Sequence, residues 1–141
     1  MAMRVVAADD DAGVRAALCA LLDDDDRFEV VGQAGDGIEV LELVDRLDPD
    51  IVLLDVRMTG GGAQAAEAIR ARGRNCTLIA VSSALTSTVV AALLAAGVRG
   101  MFTKERLGQG WAGLVARCHN GEVILAVPTA AEGLRLFAQR R

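Results

Sequence analysis

The stretch VVAADDDAGVRAAL, Val5 to Leu18, passes from four apolar residues through three aspartates into residues with helical spacing. An unbroken apolar run reads as a strand covered on both faces, because a strand with one wet face alternates apolar and polar residues. Val14 and Leu18, continued by Leu21 and Leu22, share one helical stripe. The junction is therefore a strand-to-helix turn, and it crowds Asp9, Asp10 and Asp11 at the mouth of the strand.

The same alternation repeats along the chain. Apolar runs of strand length occur at Arg4–Ala8, Phe28–Gln33, Ile51–Leu54, Thr77–Ser82 and Val98–Phe102. Helical stripes separate them: Val40, Leu41, Val44 and Leu47; Ala65, Ala66 and Ile69; an alanine-rich segment Thr86–Ala96; and Leu107, Trp111, Leu114, Val115 and Cys118. Parallel neighbours need a crossover that covers the sheet, so five βα units predict an α/β fold with a five-stranded, mainly parallel sheet and helices on both faces. The tail from Glu122 departs from this alternation. Val123–Val127 is apolar, Pro128 breaks the run, and Thr129 with Glu132 has capping-box spacing for a short sixth helix through Phe137, which Gly133 weakens.

Composition narrows the class. The chain has 141 residues, 52% hydrophobic and 24% charged, with a formal net charge of -4, which suits one core-forming domain and not a phosphate-backbone surface. No apolar run approaches the roughly 20 residues that span a bilayer, and no signal-peptide pattern opens the chain, so a cytoplasmic protein without membrane contact is expected. Cys19, Cys76 and Cys118 lack metal-ligand spacing and read as small buried thiols. His119 is the sole histidine, which removes histidine-rich metal centres.

In an open α/β sheet, ligands bind outside the carboxyl ends of the strands. Asp9, Asp10 and Asp11 follow the first strand, Asp55 ends the third, Ser82 and Ser83 end the fourth, and Lys104 follows the fifth. Carboxylates from two strand ends repel one another unless a hard cation joins them. Magnesium suits such a set, since it takes oxygen ligands and commonly sits between one or two carboxylates and a phosphoryl group. Lys104 and a serine hydroxyl add a positive charge and a donor for an anion. Neither GxxxxGK[ST] nor GxGxxG follows a strand, so no nucleotide polyphosphate is cradled. The phosphoryl group is expected on the protein itself.

The segments VVAADDDAGVRAAL, LLDDDDRFEVVGQAGDG, PDIVLLDVRMTG, VSSA and AAGVRGMFTK together resemble the receiver domain of bacterial two-component response regulators, nearest to the NarL/FixJ type. The resemblance covers residues 1–121 as a receiver and leaves 122–141 as an extension. It implies a doubly wound, flavodoxin-like (βα)5 domain with strand order 2-1-3-4-5. It also implies that Asp55 accepts a phosphoryl group from a sensor histidine kinase, as an acyl phosphate. Asp10 would bind Mg2+ directly, Asp9 through water, and Asp55 and the backbone carbonyl of Arg57 would complete the protein ligands. The hydroxyl role falls on Ser83, which precedes the small Ala84, with Ser82 as its neighbour, and Lys104 pairs with the phosphoryl oxygens. Phosphorylation then draws Ser83 inward and shifts the face built from the fourth helix, fifth strand and fifth helix.

This sequence departs from the family pattern at several places. Asp11 stands where related receivers carry other polar residues and reads as a helix-start residue. Thr59 replaces a common proline, and Gly60–Gly62 suggest a mobile loop. Met101 takes the position of the switch aromatic, with Phe102 facing the other side. The run Asp23–Asp26 follows the first helix, at the wrong end of the sheet for the site, and reads as a solvated turn.

The expected role is a signalling domain that catalyses only its own phosphorylation and dephosphorylation and so switches homodimerisation or partner binding. Related proteins control transcription through a DNA-binding output domain, which is absent from this chain. GEVILAVPTAAEGLRL resembles the start of a linker toward such an output, and a stand-alone receiver is the alternative. An unphosphorylated pseudo-receiver used for protein interaction, and a phosphotransfer hydrolase, are the readings from other classes. Retained, mutually repelling carboxylates argue against the first, and the lack of an evident general base against the second.

Overall fold

The computed structural model describes residues 1–140. Six βα pairs follow one another: β1 (Met3–Ala8), α1 (Ala12–Asp23), β2 (Phe28–Ala34), α2 (Gly37–Leu47), β3 (Ile51–Leu54), α3 (Gly62–Ala71), β4 (Thr77–Ser82), α4 (Ser87–Ala95), β5 (Val98–Thr103), α5 (Trp111–His119), β6 (Ile124–Ala126) and α6 (Ala130–Ala138). The strands form one sheet in the order β2-β1-β3-β4-β5-β6, every neighbouring pair parallel. The expected order 2-1-3-4-5 holds, and a sixth strand is added at its outer edge.

Strand periodicity of two divides the core. Val6, Ala8, Val52, Leu54, Leu78, Ala80 and Met101 face α2, α3 and α4, whereas Val5, Ala7, Ile51, Leu53, Ile79, Val81 and Phe102 face α1 and α5. Burial on both sides explains why these strands carry no polar alternation. Met101 and Phe102 therefore do lie on opposite faces. Trp111 is core, edge-on to Phe102 with ring centroids 6.2 Å apart. The three cysteines are buried and free, and burial pushes each thiol up. His119 ends α5 with Nδ1 3.1 Å from the Thr77 hydroxyl. Among the described residues no helix is long and apolar enough to cross a membrane.

The tail is where sequence and structure differ most. Residues 124–126 pair with Gly100–Phe102 of β5 instead of forming a break before a loose helix. Thr129 does not cap α6; its hydroxyl donates to the Leu85 carbonyl at 2.6 Å, tying the helix start to the loop before α4. Gly133, read from sequence as a weak point, is the contact itself. A Cβ there would lie 2.3 Å from Val90 Cγ1 and 2.5 Å from Val90 Cβ, so only glycine lets α6 approach α4 this closely. Arg141, the last residue of the expected extension, lies outside the described residues.

Gly133→Ala is expected to lower stability by about 1–3 kcal/mol, the usual cost of overpacking. It should also raise amide exchange in α6 and across Ser87–Leu93, as hydrogen exchange read by mass spectrometry would reveal. Unchanged exchange in both helices would show that α6 tolerates a looser seat.

Candidate functional site

The strand order reverses at β1, which has β2 on one side and β3 on the other. Helices leave β1 and β3 on opposite faces, and the gap beyond their carboxyl ends is where such a sheet opens a binding crevice. Asp9 follows β1 and Asp55 follows β3. The Asp9 amide donates to the Ala34 carbonyl at 3.0 Å and the Asp55 amide to the Ala8 carbonyl at 2.9 Å, so the sheet ladder continues into the site and holds both backbones.

Asp9 is wholly buried and Asp55 nearly so, while Asp10 is exposed. Asp9 Oδ1 accepts the Asp11 amide at 2.9 Å. Its Oδ2 lies 2.8 Å from Lys104 Nζ and meets no other donor among the described residues. The same ammonium is 3.6 Å from Asp55 Oδ2. Oxygens of Asp9, Asp10 and Asp55 all come within 4.8 Å of one another. Three carboxylates against one ammonium leave excess negative charge, and hard oxygen donors at this spacing suit a divalent cation. Burial pushes the Asp55 carboxyl up, with the charges of Asp9 and Asp10 acting in the same direction; the Arg57 amide, 3.2 Å from Oδ1, and Lys104 oppose it. Desolvation works against the Lys104 charge, yet the Asp9 contact and the Asp55 carboxylate hold its pKa above the ordinary value.

Asp11 stays outside this cluster. Its Oδ1 caps α1, accepting the amides of Gly13 at 2.9 Å and Val14 at 3.1 Å, the use that favours aspartate at a helix start. Asp25 pairs with Arg27 at 2.6 Å in the turn before β2, which holds its carboxyl down at about 2; of the run Asp23–Asp26, Asp23 closes α1 and the other three form the turn.

The glycines after Asp55 are less free than their number suggests. Gly61 donates to the Met58 carbonyl at 2.9 Å and Gly62 to the Val56 carbonyl at 3.1 Å. A Cβ on Gly62 would stand 2.6 Å from Val56 Cα and 2.7 Å from the Asp55 carbonyl oxygen, so α3 begins against the backbone of Asp55 itself.

The hydroxyls separate sharply. Ser83 is exposed, one residue beyond β4. Ser82 is wholly buried on the Met101 side of the sheet, and its Oγ has no hydrogen-bond partner among the described residues. Sequence reasoning also passed over two residues. Arg15 Nη1 donates to the Asp9 carbonyl at 2.7 Å and braces the acidic turn from α1. Thr103, the register partner of Ser82, is likewise buried with its hydroxyl unpaired. A polar residue closing an apolar strand was the available signal for Thr103.

Residues 5–109 match the family described as the response regulator receiver domain. This chain belongs to that family. The receiver is 32% identical over 139 residues to the nitrate/nitrite response regulator protein NarP of Escherichia coli K12, covering 97% of this chain and 59% of that protein. Response regulator GacA of Pseudomonas viridiflava is 37% identical over 114 residues, 80% of this chain and 52% of the relative. The chain thus spans between half and three-fifths of the length of these curated relatives. Among solved structures, the signal receiver domain of the response regulator NarL from Mycobacterium tuberculosis superposes with a TM-score of 0.82 at 32% identity, covering 86% of this receiver and 98% of that chain. A LuxR-family two-component response regulator from Aurantimonas sp. SI85-9A1 reaches 0.87 at 23% identity over 99% of this chain and all of the other, a likeness of fold.

Proposed function

We propose that this receiver accepts a phosphoryl group on Asp55 from the phosphohistidine of a sensor histidine kinase, and thereby controls transcription through a DNA-binding output. The observation that carries this reading is a nearly buried carboxylate at the end of β3, flanked by the carboxylates of Asp9 and Asp10 and by Lys104, which contacts both it and Asp9. Asp9, Asp10 and Asp55, with the Arg57 carbonyl, would hold Mg2+. Bound there, the ion supplies positive charge to the oxygens of the transferring phosphoryl group.

The chain's own residues do the rest. A carboxylate oxygen of Asp55 forms the new bond to phosphorus as the nitrogen–phosphorus bond of the donor breaks, and the histidine nitrogen keeps that bond's electron pair. Lys104, held by Asp9, presents its ammonium to the phosphoryl oxygens. The hydroxyl role passes from Ser83 to Ser82, because a buried donor without a partner fits this task and an exposed serine past the strand does not. Ser82 drawn toward the phosphoryl group shifts the loop through Leu85, and with it α4 and the β6–α6 segment seated there. Met101, packed in the core on that side, yields to this movement in place of an aromatic switch. Self-association through the altered surface is the expected output.

Intact mass after incubation with acetyl phosphate tests this reading. One added phosphoryl group is expected, dependent on magnesium. No gain in a chain shown to be folded would reject phosphorylation and favour an interaction module.

A further inference from the structure

Thr103 and Ser82 face each other across β4 and β5. They are register partners in adjacent parallel strands, and alternation puts both on the side of Leu78, Ala80 and Met101. Ser82 is 0% and Thr103 5% exposed, and neither hydroxyl has a hydrogen-bond partner among the described residues. Two neighbouring buried hydroxyls left unpaired cost stability, because each has been taken from water with nothing in return. Valine would fill the Thr103 position with the same branched shape and equal suitability for a strand. A threonine hydroxyl held there without a protein partner is available to pair in another state.

We infer that Thr103 is a positioning residue for the phosphorylated receiver, its hydroxyl donating to Ser82 Oγ while Ser82 donates to a phosphoryl oxygen. This rests on the reading of Asp55 and Ser82 given above. A serine hydroxyl has one proton and two lone pairs, so once Ser82 turns its proton to the phosphoryl group its oxygen is free to accept. Thr103 is its register neighbour and has no competing partner. A donor whose oxygen also accepts is polarised, so the two bonds strengthen one another. The relay fixes the Ser82 rotamer and couples β4 to β5 directly beside Lys104, the next residue in the chain. Movement at the phosphoryl group thus reaches two strands together.

The test compares wild type, Thr103→Val, Thr103→Ser, Ser82→Ala and the double variant, each with acetyl phosphate and magnesium. The readouts are thermal stability without phosphorylation and the phosphorylation-dependent change in amide exchange across Leu85–Ala95. Thr103→Val is expected to be at least as stable as wild type when unphosphorylated. Its equilibrium response to phosphorylation should fall about three- to tenfold, the worth of one ordinary hydrogen bond. Thr103→Ser restores the response, and Thr103→Val adds nothing on top of Ser82→Ala. A full response in Thr103→Val beside an impaired Ser82→Ala would overturn the relay alone. A full response in Ser82→Ala would overturn the assignment of Ser82 and the relay with it. Equal, additive losses in the two single variants would make Thr103 a packing residue.

Discussion

Replacing Asp55 by asparagine is expected to abolish phosphoryl incorporation from acetyl phosphate while leaving the fold intact. Asparagine has the shape of aspartate, and the main chain of residue 55 keeps both its amide bond to the Ala8 carbonyl and its close approach to Gly62, so circular dichroism should match wild type. A neutral amide oxygen lacks the charge to attack phosphorus, and at least a hundredfold loss, to the limit of intact-mass detection, is expected on the order of what removing a covalent nucleophile costs. A persistent phosphoryl adduct on the variant would move the acceptor to another carboxylate, with Asp10 the first to examine.

The same substitution carries a second, opposite sign. Burial and the neighbouring carboxylates raise the Asp55 pKa, so the folded chain binds this proton more tightly than the unfolded chain does. Stability should then fall as pH rises from the ordinary carboxylate range through the raised value, and the penalty is complete above it. Metal-free Asp55→Asn escapes this penalty. It is expected to melt higher than wild type at neutral pH by a few degrees, about 1 kcal/mol for a chain of this size. At a pH below the ordinary carboxylate range the difference should shrink. Melting curves across that range in a chelating buffer would check both the sign and the window.

Much of this architecture was legible in particular residues. Val5–Ala8, Ile51–Leu54 and Thr77–Ser82 are buried on both faces, so their unbroken apolar character marked them as central strands, with Ile51–Leu54 and Thr77–Ser82 matching their observed bounds. The convergence of Asp9, Asp10, Asp55 and Lys104 was legible for a related reason, since each follows a buried strand and parallel strands bring their carboxyl ends to one edge. What stayed hidden depends on pairing between distant parts of the chain. Ile124–Ala126 is too short to announce itself as a strand and becomes one because β5 offers an open edge. Gly133 looks like a helix breaker unless Val90 is known to stand against it. Ser82 and Ser83 differ in burial because of where β4 ends and which side each faces there, and neighbouring identities alone do not reveal that.

Lys104→Ala is expected to destabilise the metal-free receiver strongly and the magnesium-bound receiver weakly. The lysine side chain is 19% exposed and contacts two carboxylates that are 0% and 4% exposed, so its removal leaves two buried negative charges without the one ammonium that pairs with them among the described residues. Breaking a buried pair by deleting one partner costs about 3–5 kcal/mol, and partial solvation of this lysine reduces the expected loss to about 2–3 kcal/mol. On the proposed reading magnesium would draw on the same carboxylates. With the competing ammonium gone the site should bind the ion more tightly, and stabilisation by a saturating ligand grows with its affinity. Urea unfolding with and without magnesium should therefore show a wide gap between variant and wild type that the ion largely closes. Phosphoryl incorporation on Asp55 should persist at a reduced rate, since the nucleophile remains, while the exchange response of α4 is weakened because only the hydroxyl relay still ties the phosphoryl oxygens to β5. A loss of stability equal in the two conditions would mean that Lys104 and the ion do not share their carboxylates. An unchanged α4 response would remove Lys104 from the switch and leave the hydroxyls of Ser82 and Thr103 as the link between β4, β5 and the phosphoryl group.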